Sequence, residues 1–246
     1  MDNKKIIFSF FSGSGFLDLG FETNGFEIDL VNEFQPNFLK AYKHSREKMG
    51  LRKPRFGYFN IDINEFLNTR KPELKQYIDK VHEDGNLVGF IGGPPCPDFS
   101  IAGKNRGRNG DNGKLSKSYV DLIIAMHPDF FLFENVKGLW KTARHREFYE
   151  ELKSALRNVG YAMTDRLTNA IEYGVPQDRD RIILFGVKKT ILSPSIGIDD
   201  FPWNKYRRFS LDEIKALNWP TTTPFIPDSV TQCPDGLPKE FTVEYW

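Results

Sequence analysis

The chain has 246 residues, 39% of them hydrophobic and 14% aromatic, enough to bury one sizeable core and a small appendage. Its 34 basic and 33 acidic side chains nearly cancel, which excludes a uniformly basic nucleic-acid coat and an acidic-tail protein, so any basic surface must be local. Cys96 and Cys233 are too few for a disulfide framework or a cysteine zinc site, and His44, His82, His127 and His145 show no ligand pairing, so no metal is expected.

From residue 6 to about 187, short apolar runs alternate with longer segments of helical spacing. The first run, 6–11, reads as a strand. It ends in Phe11, Ser12, Gly13, Ser14, Gly15, Phe16, Leu17 and Asp18, a glycine turn that passes into a helix over 17–24. Glycines there let the backbone approach a ligand at the carboxyl edge of a sheet. The dinucleotide fingerprint is incomplete, because Asp18 stands where the third glycine would be, and no Gly-Lys-Ser/Thr follows to hold phosphates. Taken alone the turn is as consistent with a plain tight turn as with a ligand site.

A second strand, 28–31, ends at Glu33 and Phe34, about twenty residues on, where a carboxylate can accept hydrogen bonds from ribose hydroxyls. A helix follows over 38–47, and a third strand end carries Asp62 and Ile63, suited to an adenine amino group and its apolar face. Each carboxylate could be a solvated surface residue. Together, each after an apolar run and in this order, they favour a bound adenosine moiety without phosphates.

Beyond a helix over 73–81, the run 87–91 feeds Gly92, Gly93, Pro94, Pro95, Cys96, Pro97, Asp98, Phe99 and Ser100. A lone cysteine is more often a small core residue. Two glycines and three prolines around one thiol instead make a rigid loop, an expensive setting for a structural cysteine. The segment 102–110 is rich in glycine and carries Lys104, Arg106 and Arg108, which suit phosphates; it reads either as a nucleic-acid contact or as a solvated loop. Helices over 119–126 and 146–159 and strands over 130–133 and 181–187 complete a pattern of buried strands joined by helices, predicting an α/β, doubly wound, mostly parallel sheet. After Lys188 the character changes. Seven prolines, Pro194, Pro202, Pro220, Pro224, Pro227, Pro234 and Pro238, punctuate a stretch with one convincing helix near 211–217. The expected division is 1–190, a catalytic domain, and 191–246, a proline-rich extension.

Pro95-Cys96 with Phe99-Ser100 resembles the nucleophile loop of the DNA (cytosine-5)-methyltransferases. Phe133-Glu134-Asn135-Val136 is similar to that family's catalytic strand end, Gln177-Asp178-Arg179-Asp180-Arg181 to its Gln-x-Arg-x-Arg segment, and Gly113-Lys114-Leu115 to the Gly-x-Leu that closes its cofactor pocket. The motifs fall in the family's order across roughly 6 to 188. The resemblance implies a Rossmann-like, class I S-adenosylmethionine-dependent methyltransferase fold, with S-adenosyl-L-methionine as cofactor and S-adenosyl-L-homocysteine as product. It implies double-stranded DNA as partner and a cytosine flipped into the pocket. Cys96 would add to C6, because C5 is a poor nucleophile until the ring is made electron-rich. Glu134 would meet N3, Arg181 would meet O2, and Arg179 would orient Glu134 or the loop. Phe11, Gly13, Ser14, Gly15, Phe16, Glu33, Phe34, Asp62, Ile63, Pro95 and Leu115 are the expected cofactor residues, and Ser100, Lys104, Arg106 and Arg108 the expected nucleic-acid contacts.

The chain departs from the family at Ser9, where an acid is usual at the end of the first strand, at Phe16, where a second glycine is usual, and at Ile61, where glycine precedes the aspartate. The family's target-recognition region and final segment are not recognisable before Trp246. A fragment, a split enzyme whose recognition region is a second polypeptide, and an inactive copy would each account for that. The family suggests a role in restriction and modification. Competing functions are a non-catalytic S-adenosylmethionine-binding regulatory module, a tRNA cytosine-5 methyltransferase, and a nucleotide-dependent oxidoreductase. No apolar run reaches the roughly 20 residues of a bilayer span, and no signal-peptide core follows Met1. The expectation is therefore a cytoplasmic protein, bacterial or from a phage, with no membrane partner.

Overall fold

The computed structural model describes residues 3–95, 111–141, 143–175, 177–192 and 201–216. Seven strands form one sheet: β1 (Lys5–Phe10), β2 (Glu27–Asn32), β3 (Gly57–Phe59), β4 (Leu87–Gly92), β5 (Phe130–Val136), β6 (Tyr161–Asn169) and β7 (Asp180–Lys188), in the order β3-β2-β1-β4-β5-β7-β6. The first five run parallel, and β7 is antiparallel to both β5 and β6. The chain works outward from β1 to β3, then crosses back to β4, so the strand order reverses between β1 and β4. In open α/β sheets ligands bind at that reversal, beyond the carboxyl ends of the strands. The parallel ends come level there, with Phe59, Asn32, Phe10, Gly92 and Phe133 in register across five strands.

The helices are α1 (Phe16–Glu22), α2 (Pro36–Lys48), α3 (Asn64–Leu67), α4 (Lys71–Glu83), α5 (Asp111–Met126), α6 (Gly138–Lys141) and α7 (Ala143–Asn158). Their buried faces follow the 3.6-residue period: Leu39, Tyr42 and Arg46 on α2, and Leu74, Ile78 and Val81 on α4. Proline stands in the first turn of both, where its missing N–H has no partner to lose. Alternation along β1 then divides the core between the sheet faces. Phe8 and Phe10 join Phe66, Phe90, Tyr119, Phe131, Phe133 and Tyr149 beneath α3 to α7. Ile7 joins Val31, Leu39, Tyr42, Ile91 and Phe130 beneath α1 and α2. Each buried large side chain of this kind contributes about 1.5–3 kcal/mol of transfer free energy.

The doubly wound expectation holds, and the six strands read from the sequence within 1–190, the third only by its end near Asp62, and the five helices are all present. One strand was missed, β6, which is one of the sheet's two edges. Seven of its nine residues are only half-buried and its polar and apolar residues do not alternate cleanly, so no period-2 signal marks it.

The first compact unit runs to Arg208, past the boundary expected near 190. The reason is aromatic: Phe201 packs on Phe185 at 5.1 Å and on Trp203 at 4.6 Å, and Trp203 Nε1 donates to Thr164 Oγ1 at 3.0 Å. The second unit, from Phe209, contains α8 (Leu211–Ala216). Its start is a reciprocal cap, with Glu213 N donating to Ser210 Oγ and Ser210 N to a Glu213 carboxylate oxygen. Among the described residues no helix is long and apolar enough to cross a membrane.

Candidate active site

At the carboxyl edge, β1 gives way to the glycine turn through a strained residue. Phe11 has φ +52°, a left-handed conformation that a bulky side chain adopts only when its surroundings impose it, at about 1–2 kcal/mol. Its ring meets Tyr119 edge-on at 6.1 Å. Gly15, at φ +88°, is required twice over: its backbone is left-handed, and a methyl group there would stand 2.6 Å from the Tyr42 ring.

A cavity of about 680 Å³ opens beside this turn, lined by Phe11, Gly13, Asn32, Glu33, Phe34, Gln35, Phe38, Ile61, Asp62, Ile63, Gly93, Pro95 and Leu115. Eight expected cofactor residues thus meet around one space: Phe11, Gly13, Glu33, Phe34, Asp62, Ile63, Pro95 and Leu115. Ser14, Gly15 and Phe16 do not line it. Gly15 shapes the turn from behind, and Phe16 is 85% exposed at the start of α1. Asn32, Gln35, Phe38, Ile61 and Gly93 also line it, although they were not among the expected cofactor residues. Gln35 and Phe38 continue into α2 the strand end already marked by Glu33, a signal that was there to be read.

Glu33 is buried, and both of its oxygens carry structural bonds, Oε2 from Gly13 N at 2.8 Å and Oε1 from Gln35 N at 2.7 Å. Each oxygen keeps a second lone pair, so the carboxylate ties the turn to β2 and can still accept from a ligand. Asn32 and Asn60 brace the same edge, Asn32 Nδ2 donating to Ile61 O at 2.9 Å and Asn60 Nδ2 to Glu33 O at 2.8 Å. Asp62 Oδ1 accepts from Asn64 N, which aligns the carboxylate at the cavity wall. Phe34 and Phe38 are 60% and 51% exposed. Ser12 Oγ is buried with no hydrogen-bond partner among the described residues. The acceptors Glu33 and Asp62 and the open aromatic faces of Phe34 and Phe38 around the cavity fit an adenosine-bearing ligand without phosphates.

The second half of the site follows from β7's direction. Because β7 is antiparallel, its first residues reach the edge where β5 ends. Glu134 lies opposite Ile183, and Arg181, two residues earlier on the same face, reaches it diagonally. Arg181 Nε lies 2.8 Å from Glu134 Oε1. Burial pushes the Glu134 carboxyl above its ordinary range, against the pull of Arg181 and of the exposed Arg179 nearby. Burial likewise draws Arg181 down. Gly93 completes the contact, since a methyl there would stand 2.7 Å from Glu134 Oε2. The strand end that leads towards Cys96 therefore runs directly against the Glu134 carboxylate.

Two supports were not foreseen. Asn135 is buried, and its Nδ2 spans from Pro94 O at 3.5 Å to Ser116 Oγ at 3.4 Å, coupling the proline loop to α5. Lys137 is ion-paired with Asp180, which also accepts from Asn169 Nδ2 at 3.0 Å and so anchors the start of β7. Cys96, Ser100, Lys104, Arg106 and Arg108 lie outside the described residues. Among the described residues no group of three or more His, Cys, Asp or Glu side chains is placed to hold a metal ion.

Comparison with known proteins agrees with this geometry. The profile of the C-5 cytosine-specific DNA methylase family matches residues 6–233. The chain is 53% identical over 245 residues to the Type II methyltransferase M.NmeDI of Neisseria meningitidis serogroup C, covering 99% of this chain and 56% of that protein. It is 35% identical over 214 residues to M.FnuDI of Fusobacterium nucleatum, covering 86% and 55%. The chain thus spans little more than half the length of these relatives. Among solved structures, a prophage-encoded E. coli protein described as a DNA modification methyltransferase superposes with a TM-score of 0.57 at 25% identity, over 76% of this chain and 47% of that one. The S. pombe Dnmt2 methyltransferase shares the fold, with a TM-score of 0.58 at 14% identity, over 85% and 56%.

Proposed function

Since the chain belongs to the C-5 cytosine-specific DNA methylase family, we propose that it methylates C5 of a flipped-out cytosine in double-stranded DNA, with S-adenosyl-L-methionine as methyl donor. The observation that carries this is the Glu134–Arg181 pair at 2.8 Å, set against Gly93, which both precedes the Cys96 loop and lines the cavity that holds Glu33 and Asp62. Phosphate-dependent redox chemistry does not suit that pairing, and family membership overturns the oxidoreductase alternative.

Glu33 and Asp62 would take the ribose hydroxyls and the adenine amino group, with Phe34 and Phe38 offering flat apolar surface to the base. When bound, the cofactor supplies an electrophilic methyl group on a sulfonium. Cys96, as thiolate, would add to C6, moving negative charge towards N3 and O2. Glu134, kept protonated to a higher pH than an ordinary carboxyl, would donate to N3, and Arg181 would stabilise O2. Arg179 would tune that proton by its charge. C5, made nucleophilic by that addition, would take the methyl group, and loss of the C5 proton to solvent with expulsion of Cys96 as thiolate would restore the aromatic ring. Lys104, Arg106 and Arg108 would meet backbone phosphates. Restriction and modification, the setting of Type II methyltransferases, and a bacterial or phage cytoplasm are the corresponding biological context.

The test is transfer of tritium from labelled S-adenosylmethionine to a mixed-sequence duplex, with and without the product of the adjacent reading frame, beside a Cys96→Ala control. Label entering DNA with native chain and absent with the alanine variant supports the reading. Absence of label under every condition, despite cofactor binding, overturns it in favour of a regulatory module.

A further inference from the structure

The carboxylate of Asp18, in the first turn of α1, is completely buried, yet the chemistry proposed above does not use it. Both its oxygens are occupied: Ser9 Oγ donates to Oδ1 at 2.8 Å and Tyr42 Oη to Oδ2 at 2.8 Å. Tyr42 in turn holds Arg46, whose guanidinium lies over the Tyr42 ring at 4.4 Å. Arg46 Nη2 donates to Gly15 O at 2.6 Å, and the same side chain pairs with Glu22 at 2.9 Å. These groups therefore grip the turn from both ends. Ser9 precedes the strained Phe11 by two residues, and Gly15 lies against Tyr42 so closely that no side chain would fit. The cavity wall formed by Phe11 and Gly13 hangs between these two anchors.

Resting on the cofactor reading above, we propose that Asp18 is a positioning residue for cofactor binding: through Ser9, Tyr42 and Arg46 it holds the Phe11-to-Gly15 turn in the shape that admits the ligand. A neutral network would support the fold as well. A buried carboxylate adds directionality, because it can only accept, and so dictates where both hydroxyls and the Arg46 cation lie. Burial pushes its pKa up to about 6, so the clamp is charged at neutral pH and discharged in mild acid. The groups facing it are Ser9 from β1, Glu22 from its own helix, and Tyr42 and Arg46 from α2, with Tyr58 of β3 behind the Tyr42 ring.

The experiment is calorimetric titration of the chain with S-adenosylmethionine between pH 5 and 8, for the native protein, Asp18→Asn and Tyr42→Phe, with thermal melts in parallel. At pH 7.5 both variants are expected to bind about tenfold more weakly, the scale of one hydrogen bond to a charged group. Native affinity should fall as pH drops through about 6, and Asp18→Asn should lack that limb. Equal affinity and an equal pH profile in all three proteins, with only the melting temperatures differing, would overturn the proposal and leave Asp18 a structural residue. Should Asp18→Asn fail to fold, Tyr42→Phe decides alone, since it removes one hydroxyl from a buried ring. Native protein that binds no cofactor at any pH would instead overturn the cofactor reading itself.

Discussion

The two halves of the carboxyl edge are fastened by different means. On the β1–β2–β3 side the fixing groups are backbone amides and side-chain amides, with Glu33 accepting from Gly13 and Gln35 and with Asn32 and Asn60 donating to carbonyls. Its charged cluster, Asp18 with Arg46 and Glu22, is sealed beneath the turn. On the β5–β7 side the fastening is done by half-buried ion pairs, Glu134 with Arg181 and Lys137 with Asp180. A surface that holds a ligand benefits from dipoles that do not titrate. A surface that donates a proton needs a group whose pKa can be set, and partial burial beside a cation sets it.

Five substitutions probe this contrast. Cys96→Ala should abolish methyl transfer to DNA while leaving S-adenosylmethionine affinity unchanged, measured by tritium transfer and calorimetry; weakened cofactor binding would show that the halves are not separable. Glu134→Gln should lower turnover about 10²–10³-fold. The native rate should fall as pH rises through the raised Glu134 pKa, because the donor proton is lost, and the glutamine variant should lack that limb. Arg179→Ala removes a cation that holds this pKa down, so it should move the limb to higher pH.

Smaller effects are expected in the cofactor half. The folded pKa of Asp18, about 6, exceeds its ordinary value of 3.8. Its contribution to stability is therefore full below about pH 4 and lost as pH rises through 6, a change of about 3 kcal/mol. Denaturant titrations at pH 4.5 and 7 should show that slope in native protein and its loss in Asp18→Asn. Phe34→Ala should weaken cofactor binding about tenfold, the scale of one aromatic contact with its buried area, without shifting the Glu134 limb.

Much of this edge was legible because strand ends in a parallel sheet are local events. An apolar run followed by glycine, or by an acid and an aromatic residue, places those residues at the ligand-binding edge whatever the rest of the chain does. Glu33, Phe34, Asp62 and Ile63, which line the cavity, were read from such strand ends, whereas Leu115 was expected there only from the family resemblance. Phe16 does not line the cavity, since a residue one step past the turn points with the helix rather than with the strand, and here it is exposed.

By itself, then, the sequence determined the α/β class and the carboxyl-edge motifs, because each depends on short-range periodicity or on a contiguous run, and the resemblance of those motifs is what proposes the reactive residues. Only the tertiary structure decided that β7 runs antiparallel, which brings Arg181 to Glu134 across the sheet. It also decided that Asp18 of α1 meets Tyr42 of α2, and that Tyr42 and Arg46 close on Gly15. Strand direction and long-range contact leave no local pattern in a chain, since they arise from how buried faces close on one another and not from the residues that flank them.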